Sequence, residues 1–264
     1  MIRSFLITIC LNLFISPLYA APGSWSQIGT KGDWKNTIAT IVHQNSLYSM
    51  EMSGALYKTH LSSGKWVGIG KKDFANTRFM VQVASHLYTI EKSGSLYRVS
   101  PQDGSWKQIG QSGSWKNTTA LTVHDGFLYS TERNGALYRT DLNTGKWTSV
   151  GKSEFKNTQY LFSAKNALFS IEKSGNLYRI DPQSGAWRQV GAQGSWKKTI
   201  AATVTRDTLF TVESNGALYQ TDLNTGNWKQ LGKNDFKNTQ FFFANGSHLY
   251  SIERSGSLYK ISID

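Results

Sequence analysis

The stretch APGSWSQIG, Ala21–Gly29, holds a tryptophan that belongs to a series whose other members lie far downstream. Trp66, Trp106, Trp147, Trp187 and Trp228 follow one another at steps of 40 or 41 residues, and the next would fall beyond ISID, where the chain stops. Trp25 supplies the missing member from the opposite end. A linear solenoid gives no reason for that displacement, whereas a ring closed by pairing the first strand with the last repeat requires it. Two other series keep step: Glu51, Glu91, Glu132, Glu172, Glu213 and Glu253, and the second residue of each LY pair at Tyr57, Tyr97, Tyr138, Tyr178, Tyr219 and Tyr259.

Within each repeat the local signals are those of strands. In the third, TTALTV, FLYSTE, ALYRTDL and KWTSVG are short runs rich in β-branched and aromatic residues, separated by HDG, RNG and NTG. Asn-Gly and Ser-Gly between such runs favour tight hairpins, because glycine adopts positive φ without steric cost. Four antiparallel strands in about 40–45 residues is the size of one propeller blade. The predicted fold is all-β: a six-bladed β-propeller of four-stranded blades, closed by the N-terminal strand pairing with the last blade. The repeats also alternate. Odd ones begin TKGDWKNT, QSGSWKNT and AQGSWKKT; even ones begin KKDFANT, KSEFKNT and KNDFKNT, one residue shorter and with Phe in place of Trp. The repeating unit is therefore a pair of blades used three times.

Residues 1–20, MIRSFLITICLNLFISPLYA, combine an early cation, an apolar run and a small residue at the end, which predicts a secretory signal peptide cut near Ala20. The run is interrupted by Asn12 and is shorter than the roughly 20 apolar residues a membrane span needs. The propeller is assigned to residues 21–264 as one domain, with a secreted or periplasmic destination and no membrane insertion. Cys10 is the only cysteine and lies in the segment to be removed, so the domain must hold together by packing alone. Without Arg3 the 29 Lys plus Arg fall to 28 against 17 Asp plus Glu, a formal charge of +11. Such a chain is drawn to anionic surfaces.

The recurrent [WF]KNT segment is the candidate binding constellation: Trp34 with Asn36, Phe74 with Asn76, Trp115 with Asn117, Phe155 with Asn157, and Phe236 with Asn238. A sugar presents a flat C–H face and a rim of hydroxyls, which an aromatic plate beside an amide would match. Aromatic packing at a blade junction, with Asn-Thr closing a turn, explains the same pattern. In the fifth repeat Lys198 replaces the amide beside Trp196, and lysine offers only donors, so that site is expected to be the weakest. The glutamates precede hairpins and are expected to pair with Lys58, Arg98, Arg139, Arg179 or Lys260 on the returning strand. Six equivalent carboxylates do not divide into an acid and a base, so no catalytic residue is assigned. His43, His86, His124 and His248 sit on separate blades and predict no metal site. No phosphate-binding glycine loop or serine nucleophile motif is present, and no cofactor is expected. Lysines beside the aromatics could track a nucleic acid, but scattered cations around a ring more often form a solvated rim, and no nucleic acid is expected.

The run LGKNDFKNTQFFFANGSHLYSIERSGSLYK, Leu231–Lys260, resembles the blades of tachylectin-type (tectonin-like) β-propeller lectins, and the similarity extends across all six repeats. The resemblance implies non-catalytic binding of N-acetylated amino sugars, one site per blade. The family's best-known member has five blades, against six counted here. An acidic residue that follows the tryptophan in the family is replaced by Lys35, Ala75, Lys116, Lys156, Lys197 and Lys237, which favours an acidic glycan. The sequence thus predicts a monomeric, multivalent lectin for amino-sugar-containing or anionic glycans. An envelope protein-interaction scaffold is the alternative, and a hydrolase or lyase using the central channel the third reading.

Overall fold

The computed structural model describes residues 20–264; the expected signal peptide, with Cys10, lies outside them. Twenty-four strands form six sheets of four, each antiparallel and in chain order except one. In blade 1 the strands are Thr37–His43, Ser46–Glu51, Leu56–His60 and Trp66–Ile69. The exception is blade 6, where Trp25–Ile28 adds as the fourth strand beside Leu258–Ser262. Trp25 pairs with Ile261 and Ile28 with Leu258, so the ring is a six-bladed β-propeller closed as the tryptophan series requires. The first strands of the blades line the central channel, and each bears a bulge after its opening threonine, as at Thr37.

The core lies between blades. A strand buried on both faces needs apolar residues on both, and the second strands satisfy this: Leu47, Tyr48 and Met50 of SLYSME are all buried. Leu47 faces blade 6 in a cluster with Phe243, Tyr250 and Ile252, while Tyr48 and Met50 face blade 2 with Met80, Leu87 and Val99. Every junction is wedged by the aromatic that opens the next blade. Trp34 is packed between blades 6 and 1, and Phe74 between blades 1 and 2.

The backbone of that aromatic is also tied across the junction. Phe74 N–H donates to the Gly54 carbonyl at 3.0 Å, and Trp115 to Gly94, Phe155 to Gly135, Trp196 to Gly175, Phe236 to Gly216 and Trp34 to Gly256 repeat the bond at 2.9–3.1 Å. The acceptor must be glycine: Gly94 has φ 86°, and a Cβ there would stand 2.3 Å from the Lys116 nitrogen. The alternation of Trp and Phe has a structural counterpart. The channel strands of blades 1 and 2, 3 and 4, and 5 and 6 run close together, whereas the Trp-wedged junctions 2–3, 4–5 and 6–1 are looser.

Closure carries a stability prediction. Removing residues 21–29 bares the edge of Leu258–Ser262 and takes Ile28 out of the blade 6–1 core. The truncated protein should melt well below the intact one by circular dichroism, and an equal melting temperature would contradict closure as a source of stability.

Candidate functional site

Three cavities of about 480, 360 and 210 Å³ open in the looser junctions, one each on blades 1, 3 and 5. They are the same site three times. On blade 1 the wall is the face turned to blade 6, where strand pairing sets Thr59 opposite Trp66 and Tyr57 opposite both Ser49 and Gly68. The indole of Trp66 meets the Tyr57 ring edge-on at 5.0 Å, and the same pair recurs as Tyr138–Trp147 and Tyr219–Trp228. Trp66, Trp147 and Trp228 are 54, 50 and 55% exposed, among the most exposed large side chains of the protein. Among the described residues none accepts a hydrogen bond from their Nε1.

The floor of each cavity is polar. The hydroxyls lining the cavities are those of Ser49 and Thr59 in blade 1, Ser130 in blade 3 and Thr211 in blade 5; Ser49, Thr59 and Thr211 have no hydrogen-bond partner, and Ser130 donates to Glu132 at 3.3 Å. A buried hydroxyl left unpaired costs about 1–3 kcal/mol; Thr77, Thr89 and Ser170 of the even blades are unpaired as well, and what sets Ser49, Thr59 and Thr211 apart is that they line a cavity. Beside them Glu51, Glu132 and Glu213 are each buried, and each accepts a 2.7 Å bond from a threonine hydroxyl, Thr37, Thr118 and Thr199 respectively.

The even blades lack the cavity for two reasons. The threonine opposite the tryptophan becomes aliphatic, Val99, Ile180 and Ile261, and joins the core. The carboxylate before the phenylalanine then takes the indole: Trp106 Nε1 donates to Asp73 at 3.0 Å, Trp187 to Glu154 at 2.9 Å, and Trp25 to Asp235 at 3.0 Å. In odd blades that position is Ser114 or Ser195, too short to reach, or Asp33, whose carboxylate accepts the Thr30 N–H instead.

The residues singled out by sequence divide. The rings of Trp34, Phe74, Trp115, Phe155, Trp196 and Phe236 are only 1–3% exposed, so they offer no free face; the exposed aromatic rings are the tryptophans of the fourth strands. Trp34, Trp115 and Trp196 edge the three cavities; Phe74, Phe155 and Phe236 do not. The amides Asn36 and Asn117 line cavities, while Asn76, Asn157 and Asn238 sit at closed junctions. The turn uses only the backbone here: the Asn36 carbonyl accepts from Met52 N–H, and the Lys198 carbonyl accepts from Ser214 N–H in the same way. Lys198 therefore fits the fold, and its side chain lines the smallest cavity. The ladder expected between the glutamates and Lys58, Arg98, Arg139, Arg179 or Lys260 does not form among the described residues. Lys58 pairs with Tyr48, three residues from Glu51, and an odd separation along a strand puts the two on opposite faces. The missed signals were in view as the threonine-to-aliphatic alternation opposite the tryptophans.

The chain matches the family described as a repeat of unknown function (DUF6923) over residues 22–166, more than half its length, and belongs to that family. No curated protein sequence matches it. Among solved structures it is similar to a structural-genomics protein of unknown function from Bacteroides thetaiotaomicron (TM-score 0.66, 13% identity, covering 92% of this chain and 73% of that one). It is also similar to virginiamycin B lyase from Staphylococcus aureus (0.62, 13%, 91% and 99%) and to YCF48 bound to a D1 peptide (0.58, 14%, 86% and 78%). At such identities these likenesses establish the propeller fold and no more.

Burial raises the pKa of Glu51, Glu132 and Glu213, opposed in each by the threonine hydrogen bond. A carboxyl whose pKa is higher folded than unfolded holds more protons in the folded state, so its contribution to stability falls as pH rises from the unfolded value through the folded one. Changing all three to glutamine should flatten the decline in melting temperature above about pH 4.5, measured by differential scanning calorimetry. A pH profile identical to wild type would show that these carboxyls are not strained by burial.

Proposed function

We propose that this repeat protein is a non-catalytic, multivalent carbohydrate-binding propeller with three equivalent sites, in the grooves of blades 1, 3 and 5. The observation that supports the reading is the pairing, in each groove, of a half-exposed indole that has no acceptor for its N–H with a floor of buried hydroxyl and carboxyl groups, of which Ser49, Thr59 and Thr211 have no partner. A pyranose has the matching halves: its C–H face lies on the indole, and its hydroxyls or an N-acetyl group meet the hydroxyl floor, the Glu51-type carboxyl and the free indole N–H. A purely apolar ligand would leave the floor unpaired, and a purely polar one would leave the indole wet. The preference for N-acetylated amino sugars rests on the carboxyl, which accepts from an amide N–H. Shallow sites bind weakly singly, but three on one rigid ring raise avidity by roughly 10²–10⁴ on a dense glycan. Such a protein works outside the cytoplasm, in keeping with the signal peptide expected before Ala21.

Titration calorimetry with a soluble N-acetylglucosamine oligosaccharide tests this. The wild type should show three sites and the triple variant Trp66→Ala/Trp147→Ala/Trp228→Ala none, with little change in melting temperature because those rings are exposed. Trp106→Ala should keep all three sites. Trp34→Ala should instead destabilise the fold by about 3–5 kcal/mol, since its ring is core. Undiminished binding by the triple variant would sink the reading.

A further inference from the structure

The net charge of the propeller is not spread over its surface. The segments that join one blade to the next, 30–36, 71–76, 111–117, 152–157, 192–198 and 233–238, meet the hairpins 52–55, 92–95, 133–136, 173–176, 214–217 and 254–257 through the Gly carbonyl bonds, so the twelve form one face of the ring. That face carries fifteen lysines and arginines against four carboxylates, Asp33, Asp73, Glu154 and Asp235. The turns between first and second strands, at the other mouth of the channel, carry Lys165 and Arg206 against Asp125 and Asp207. The turns between third and fourth strands carry Lys65 and Lys146 against Asp103, Asp141, Asp181 and Asp222. The six glutamates that end the second strands border this face as well, and with them it still keeps a surplus of +5, against 0 and −2 for the other two sets of turns.

The three cavities are edged by residues of that same face: Asp33, Trp34 and Met52; Ser114 and Arg133; Ser195 and Lys198. Lys116, Lys156 and Lys237 are exposed beside the wedge aromatics and make no ion pair among the described residues. A concentration of free cations on one rim, denser than the scattered Lys107, Arg188 and Lys229 of the outer strands, produces a field that both attracts a polyanion and turns the ring to face it.

From this charge placement we propose that the joining-segment face is a docking surface for an anionic polysaccharide, a polymer of uronic acid or similarly charged sugar units. The lysine and arginine rim holds the charged chain while the three grooves take individual residues of it. The partner is a glycan and not a nucleic acid because the indole-and-hydroxyl grooves open onto the charged face, which is the element of the proposed function this inference rests on. The affinity should fall with salt, because exposed charges are screened beyond about 8 Å at physiological ionic strength.

Two charge-reversal variants separate placement from total charge. Lys116→Glu/Lys156→Glu changes the proposed face, and Lys165→Glu/Arg206→Glu changes the opposite mouth by the same amount. With polygalacturonate as probe, in low salt, the first variant should bind about tenfold more weakly or worse and the second within about twofold of wild type. Circular dichroism should show both folded, and the neutral N-acetylglucosamine oligosaccharide should still bind both, since no groove residue has changed. Equal losses in the two variants, or none in the first, would overturn the docking face while leaving the sugar sites standing. Equal affinity for a DNA duplex and for polygalacturonate would overturn the choice of a glycan.

Discussion

The backbone hydrogen bond from each wedge aromatic to the glycine of the preceding hairpin is the contact on which the ring depends. A blade cannot bury either of its faces alone, so its stability is borrowed from its neighbours, and the contact between neighbours must be repeated six times without drift. The bond fixes where the aromatic enters the junction. The ring then fills the gap, and the next strand is delivered to the channel in register. Glycine at the acceptor is a steric condition of that approach, since a methyl group at Gly94 or Gly175 would lie 2.3 or 2.2 Å from a backbone nitrogen.

The same contact explains why the six junctions are not alike. An indole is wider than a phenyl ring, and its leading segment is one residue longer; the Trp-wedged junctions stay open where the Phe-wedged ones close. Closing is completed by chemistry: an aliphatic residue removes the polar floor, and a carboxylate takes up the indole N–H. Two of the open junctions are crossed near the channel by side chains. Arg78 reaches from blade 2 to the backbone carbonyls of Lys116 and Thr118, and Tyr160 from blade 4 to that of Thr199, so the inner ends of two of the three are bridged. Burial at the second bridge pushes the Tyr160 phenol up to about 12.

Three sites on a three-fold pattern of blade pairs have a consequence for binding. Each groove retains the indole, the tyrosine edge, a floor hydroxyl and the buried glutamate, and the three differ at the rim, with Asp33 and Met52 in the first, Arg133 in the second and Lys198 in the third. A shared recognition core with different charged neighbours suits a polymer whose units are alike in ring geometry and uneven in charge. The basic face adds an attraction that acts before any groove is filled.

The sequence by itself determined the architecture. Periodicity of Glu, Tyr and Trp counted the blades, Trp25 at the wrong end closed the ring, and the one-residue difference between odd and even repeats defined the blade pair. These were legible because they depend on spacing along the chain. The roles of the aromatics were not, because Trp34 and Trp66 are the same residue type and only packing across a junction buries one at 3% and leaves the other at 54%. Nor could sequence separate the lysines of the joining segments from those of the other turns, or show that the carboxylate of Asp73 meets the indole of Trp106, 33 residues away. Which face a side chain occupies, and what stands opposite it, is set by strand pairing and by the neighbouring blade, and that information exists only once the ring has closed.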